Sequence, residues 1–222
     1  MKSTAFIKRE AINWIIIVLP FIYLILVYDK LPPFNPFPLT WEQSIYYVLI
    51  FNTSVSFLGY LWLLIKPEIV PRTALHENPK ILYRFKTLVL CYITLLSLTY
   101  ISEKIGIAFN WSKIGFIIAM VFIMVVGNLY PTIRFNFTIG LKNAWTLSDE
   151  QIWNKTHRFS GRLYFCGGLI GALYGILFDT NPVPYMPVIM VGYVFLLWFI
   201  SHLYSYLIFR KLHPDHPEKS HH

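Results

Sequence analysis

Hydrophobic residues in this chain come in long blocks, and its charged residues fall between them. Six stretches contain no Asp, Glu, Lys or Arg: Ala11–Tyr28, Gln43–Ile65, Thr87–Ser102, Ile114–Ile133, Leu163–Phe178 and Val188–Phe209. A helix needs about 20 predominantly apolar residues to cross a bilayer, with a range of roughly 17–25. The third and fifth stretches are short, but Lys and Arg flank their cytoplasmic ends, where long side chains can snorkel to the headgroups. The pattern predicts an all-α, polytopic membrane helical bundle with six transmembrane helices. It is read as one membrane domain over residues 1–222, with a front helix pair at 11–65, a four-helix part at 87–209 and a polar tail at 211–222. Little of the 222-residue chain is left for a separate soluble domain. No small-x-small cleavage site follows the first stretch, so a cleavable signal peptide is not expected.

The charges between the blocks fix a direction. The N-terminus carries Lys2, Lys8 and Arg9, and the second connection carries Lys66, Arg72, Lys80, Arg84 and Lys86. The fourth carries Arg134, Lys142, Lys155, Arg158 and Arg162, and the tail carries Arg210, Lys211 and Lys219. The first, third and fifth connections hold only Lys30, Lys104 and Lys113. Sixteen cations on one side against three on the other place both termini in the cytoplasm. The net charge of +8 follows from this asymmetry and implies contact with anionic lipid headgroups, not nucleic acid. Trp14, Tyr28, Trp41, Tyr100, Trp111 and Tyr130 lie near predicted span ends, where amphipathic rings settle.

The connections differ in character. Pro32, Pro33, Pro36 and Pro38 favour an extended segment over Lys30–Trp41. Pro67, Pro71 and Pro79 mark the second connection, and Asn181-Pro182 with Pro184 marks a tight turn before the last span. Cys91 and Cys166 fall inside spans and are no disulfide framework. The histidines of the tail HPDHPEKSHH lack metal-ligand spacing and read as a polar end.

The fourth connection, Pro131–Arg162, is about thirty residues long, far beyond the usual helix–helix link. Ser148 followed by Gln151 fits a capping box, so a short amphipathic cytoplasmic helix is expected from Asp149 toward the fifth span. On it Trp153 and His157 share a face, and Trp153, Thr156 and Ser160 form a second line. Trp145 and Trp153 are placed at headgroup level. The preceding Phe135–Trp145 segment contains Gly140 and no helical cap, and reads as an irregular or re-entrant loop. Asn128, His157 and Arg158 are candidates to converge on a ligand or partner. The rival reading is structural, with Asn128 and His157 satisfying loop backbone and Lys155 and Arg158 meeting lipid phosphate. No nucleophile–base pair, paired carboxylates or metal triad is legible, so no catalytic residue, metal or cofactor is assigned. In the fifth span, Gly167, Gly171 and Gly175 repeat every four residues and predict close helix packing, with homodimerisation through that face as the rival. Ser201, His202 and Ser205 form a polar cluster in the sixth span, read as an interhelical hydrogen bond.

One block of residues has a specific likeness. Gly127-Asn128, Pro131, Asn136, Ile139-Gly140, Trp145-Thr146-Leu147, Trp153, Lys155-Thr156-His157-Arg158 and Gly161 resemble the SdpI family of bacterial membrane proteins. That family's pattern runs approximately G-N-x-x-P, then N-x-x-x-G-I-R-T-P-W-T-L, then W-x-x-T-H-R-x-x-G, and the match covers Gly127–Gly168. The chain departs from it at Lys142 and Ala144, where the family has Arg and Pro, so the bidentate guanidinium fork is lost there. In the front half only Leu31-Pro32 remains of a longer family element. The resemblance implies an inner-membrane immunity protein acting against a secreted toxin peptide or bacteriocin. It also implies a receptor that sequesters a cytoplasmic repressor, and a motif site at Asn128, Pro131, Asn136, Gly140, Lys142, Trp145, Thr146, Trp153, Lys155, Thr156, His157 and Arg158. The alternatives are a small transporter using Asn128, His157 and His202, and a membrane-embedded enzyme acting on a lipid or cell-wall intermediate.

Overall fold

The computed structural model describes residues 2–31, 79–137, 139–178 and 186–214. The predicted span Gln43–Ile65, the proline-rich connections around it, most of the turn before the last span and the tail beyond Pro214 lie outside the described residues. The described chain is all-α. Its helices are α1 (Lys2–Leu26), α2 (Pro79–Lys104), α3 (Trp111–Leu129), α4 (Ala144–Ser148), α5 (Glu150–Leu177) and α6 (Met186–Leu212), with 3₁₀ turns at Tyr28–Lys30 and Tyr130–Thr132. Among the described residues three segments are long and apolar enough to cross a membrane: Ile81–Lys104, Trp111–Thr132 and Ile189–Leu212. A shorter apolar run, Glu10–Leu26, lies in α1.

Helix ends follow local chemistry. Pro79 opens α2, where its missing N–H costs nothing. Gly106, at φ +77°, turns the chain just past α2. Asn110 caps α3 by accepting from the Lys113 amide at 3.0 Å. The two short apolar windows sit in longer helices because a helix does not stop where charge begins. α2 takes in Lys80, Arg84 and Lys86, and α5 takes in Lys155, Arg158 and Arg162. The amphipathic helix expected before the fifth span is therefore the first half of one continuous 28-residue helix. No proline interrupts Glu150–Leu177, and the glycines there pack against a neighbour instead of breaking it.

α1 and α2 lie side by side and run parallel. Glu10 meets Lys86, Thr87 donates to Asn13, Thr94 to the Ile16 carbonyl, and Tyr23 pairs with Ser102. The Thr94 bond has a local cause. Pro20 lacks the N–H that would close the helical bond to the Ile16 carbonyl, and Thr94 supplies the missing donor at 3.0 Å. Glu10 and Lys86 form a buried ion pair at 2.7 Å, and Asn13 adds a second donor to the same carboxylate oxygen at 2.9 Å. Because the two helices are parallel, Leu31 and Pro79 lie at opposite ends of the pair.

The centre of the bundle is the α3–α5 crossing, the most extensive packing between described elements. Gly127, Gly161, Gly168 and Gly175 let these backbones approach. A Cβ on Gly127 would run into the Phe165 amide and lie 2.8 Å from the Gly161 carbonyl oxygen, and one on Gly168 would run into the Met124 amide. The face read as Gly167, Gly171 and Gly175 is divided. Gly171 and Gly175 turn to α3, against Met120 and Phe116, while Gly167 turns to Tyr193 of α6. The pairs that touch place α3 antiparallel to α2 and α5, and α6 antiparallel to α5.

Candidate functional site

The connection between α3 and α5 folds back on the bundle, and its motif side chains hold it there. Trp153 is wholly buried and its indole N–H donates to the Ile133 carbonyl at 2.9 Å. Asn136 accepts from the Ile139 amide at 2.8 Å and donates to the Arg134 carbonyl at 2.7 Å, forming a local turn. His157 is 1% exposed. Its Nε2 accepts from the Leu141 amide at 3.1 Å, which leaves Nδ1 as the protonated nitrogen, donating to the Trp153 carbonyl at 2.9 Å. The ring stacks on Trp153 at 4.0 Å between centroids and meets the edge of Tyr130 at 5.8 Å. This dry setting pushes the imidazole pKa down from 6.5 to about 4, so the group is neutral at physiological pH.

Gly140 lies against this stack at φ +127°, and a Cβ there would sit 2.5 Å from His157 Nε2 and 2.8 Å from the Trp153 ring. Both the backbone angle and the space require glycine. Asn143 then caps α4 in a capping box with Thr146: its side chain accepts from the Thr146 amide at 2.8 Å, and its own amide donates to Thr146 Oγ1 at 3.0 Å. Thr146 Oγ1 donates to the Leu141 carbonyl at 2.8 Å, so Leu141 is held from both sides, by His157 and by Thr146. Asn143 Nδ2 reaches Ser205 of α6 at 2.8 Å and ties the loop to a second helix.

Several expectations are corrected. The capping box is Asn143–Thr146, not Ser148–Gln151. Ser148 ends α4 with its hydroxyl donating to the Trp145 carbonyl, and Asp149 caps α5 by accepting from the Gln151 amide at 2.6 Å. Asn143 is a helical cap inside a segment read as having none. Trp153 is a core residue of the loop, not a headgroup anchor, while Trp145 is half-buried against Tyr206. Of the three residues read as candidates to converge, Asn128 and Arg158 are exposed and His157 is buried. His157 does not change charge near neutral pH. In the sixth span the interhelical bond belongs to Ser205, since His202 turns back to its own Trp198 carbonyl at 2.9 Å.

The motif thus separates into two sets. Pro131 packs on Gly161 and, with Asn136, Gly140, Thr146, Trp153 and His157, belongs to the clasp. Lys142, Lys155 and Arg158 are exposed on the outside. Thr156 and Ser160 are wholly buried, with hydroxyls that have no partner among the described residues. Asn143, Leu141 and Tyr130 are the clasp members that sequence reading passed over. A cap three residues before Thr146 was the available signal for Asn143.

Residues 132–205 match the SdpI/YfhL protein family. The chain is similar to the "Immunity protein SdpI" of Bacillus subtilis (strain 168), 27% identical over 216 residues, which covers 92% of this chain and 98% of that protein. A shorter likeness, 29% identity over 62 residues, covers 28% of this chain and 56% of the "Uncharacterized protein YfhL" of the same organism. No solved structure matches. The clasped loop and the two helices that hold it lie largely in the matched region, so the residues that carry the resemblance belong to the part of this membrane protein that is similar to the SdpI/YfhL family.

Proposed function

We propose that the chain is an immunity protein of the bacterial cytoplasmic membrane, with six spans and both termini inside, that protects its cell from a secreted membrane-active peptide. The observation that carries the reading is near full-length similarity to a protein named for immunity. The clasped loop adds a surface that is formed before any partner arrives. It turns Phe137, 61% exposed, outward near Lys142, in a segment that also exposes Arg134. An exposed aromatic ring among cations is suited to an acidic cytoplasmic protein such as a sequestered repressor.

The rival readings draw less support. A transporter path through Asn128, His157 and His202 would need one polar cavity. Two cavities among the described residues, of about 190 and 610 Å³, are lined by none of the three, and Tyr92, Tyr164, Met190 and Val194 line both. An enzyme using His157 as base would need a free ring nitrogen, and both are committed to backbone groups.

The test is survival. The chain is expressed in a peptide-sensitive bacterium challenged with a panel of secreted membrane-active peptides, with protein level in the membrane measured alongside. Protection against at least one peptide is expected. No protection at normal abundance across the panel would remove the immunity reading. Under the signalling part of the proposal, Phe137→Ser with Lys142→Gln leaves protection intact and abolishes retention of the repressor at the membrane. Retention unchanged by the pair of substitutions would move the docking surface elsewhere.

A further inference from the structure

α5 carries a stripe of side chains that no role so far absorbs. Lys155, Arg158, Arg162, Phe165 and Leu169 recur at alternating spacings of three and four, which places them along one helical face. All five are exposed. The three cations make no hydrogen bond or ion pair among the described residues. The opposite face of the same helix is buried from Trp153 through Tyr164 to Gly175, so the stripe points away from the other described helices. It is cationic for its first two turns and apolar beyond Arg162.

We propose that this stripe is a binding site for one anionic phospholipid, its phosphate between Arg158 and Arg162 and an acyl chain along Phe165 and Leu169. Charge complementarity selects the headgroup. Arginine forks suit phosphate oxygens, and the cytoplasmic leaflet is the one with negative surface potential. Length selects the source of the phosphate. From Arg158 to Leu169 the helix rises about 16 Å, close to half of a hydrocarbon core of about 30 Å, so one lipid in one leaflet matches the stripe from head to tail. A free phosphate ion would use only its first half, and an acidic protein surface would have no use for exposed Phe165 and Leu169 at that depth. The bound lipid would pin the start of α5, and with it the Trp153–His157 clasp, at the membrane surface. The inference rests on the fold and on the proposed cytoplasmic side of the clasped loop, and not on the immunity reading.

The test uses the full chain purified in detergent and exchanged into bilayer discs of phosphatidylcholine alone or mixed with phosphatidylglycerol. Native mass spectrometry then reads the lipids that stay bound. The wild type is expected to retain phosphatidylglycerol in preference to phosphatidylcholine. Each of Lys155→Gln, Arg158→Gln and Arg162→Gln weakens retention about fivefold, and the three together about a hundredfold. Arg158→Lys with Arg162→Lys keeps the charge and restores much of the retention, and a wild-type elution profile shows that the variants fold. Phe165→Gln with Leu169→Gln lowers retention while leaving the cations in place. Equal retention by wild type and triple variant, or no preference over phosphatidylcholine, overturns the site. Protection by inorganic phosphate equal to that by the lipid reduces it to an ion contact and overturns the lipid assignment. Binding of an acidic peptide to the stripe in preference to phosphatidylglycerol overturns it in favour of a protein-docking face.

Discussion

His157 shows how one side chain can close a loop that has no regular structure of its own. Both ring nitrogens satisfy backbone groups, and the ring is held between Trp153 and the edge of Tyr130. Its burial makes a pH prediction with a definite sign. The folded pKa of about 4 lies below the value of about 6.5 expected for an unfolded chain, so acid favours unfolding. The stability due to neutral His157 is complete above pH 6.5, falls as pH drops toward 4, and levels off below that. The span corresponds to about 3 kcal/mol, and melting curves of the detergent-solubilised protein from pH 7.5 to 4 should show it. His157→Gln should flatten that slope while lowering stability at pH 7. A slope unchanged by the substitution would assign the acid sensitivity to other groups. Gly140 gives the companion prediction. Gly140→Ala meets both a left-handed backbone angle and the His157 and Trp153 rings, so it should cost about 2–4 kcal/mol. Hydrogen exchange should then speed up over residues 139–147 before it changes in α3. The sequence named His157, Trp153, Thr146 and Gly140 as belonging together, because their spacing matches a known pattern. It did not say that they face inward. A histidine that binds a partner and one that binds a backbone amide look alike in a list of residues, and only the position of the Leu141 N–H distinguishes them.

At the scale of elements, helices were legible as apolar blocks and their ends were not. Windows bounded by charge cut α2 and α5 short, since Lys86 and Arg158 are helical residues whose long stems reach a polar partner or solvent. The glycine face was legible in kind but not in direction, because glycines at 161, 167, 168, 171 and 175 offer several faces by spacing alone. Their environments rank their tolerance. Gly168 faces backbone of α3 at Met124 and Met120, whereas Gly171 faces the flexible end of the Met120 side chain. Gly168→Ala should therefore lower the melting temperature markedly, by about 2–4 kcal/mol in stability, and Gly171→Ala by less than about 1.5 kcal/mol. The reverse order in a thermal-shift series would place a different face of α5 against α3. The α1–α2 contact makes a further prediction. Lys86→Met leaves the Glu10 carboxylate buried beside Asn13, and should cost about 3–5 kcal/mol. Adding Glu10→Gln should recover a large part of that loss, because it removes the buried carboxylate charge that Lys86 balanced.

For the molecule as a whole, two independent observations bear on the proposed direction through the membrane. One is the cation count, sixteen against three. The other is the order of helices, which the count does not contain. α1 and α2 are parallel, from Glu10–Lys86 at one end to Tyr23–Ser102 at the other. Leu31 and Pro79 therefore lie at opposite ends of the pair, with the sequence segment 32–78 between them. The charge-free run Gln43–Ile65 in that segment has the length to cross. With α2, α3, α5 and α6 alternating in direction after it, the clasped loop and the last residues of α6 come to the side where α1 begins. A chain with one crossing fewer would put the C-terminus outside and leave α1 antiparallel to α2. Single cysteines can separate these outcomes in a Cys91- and Cys166-free background. Lys30→Cys and Lys104→Cys should react with a membrane-impermeant maleimide in intact cells. Lys142→Cys and Lys211→Cys should react only after the membrane is opened. Labelling of position 211 in intact cells, with position 142 protected, would mean that α6 ends outside. It would break the antiparallel pairing of α5 and α6 on which the Asn143–Ser205 bond depends.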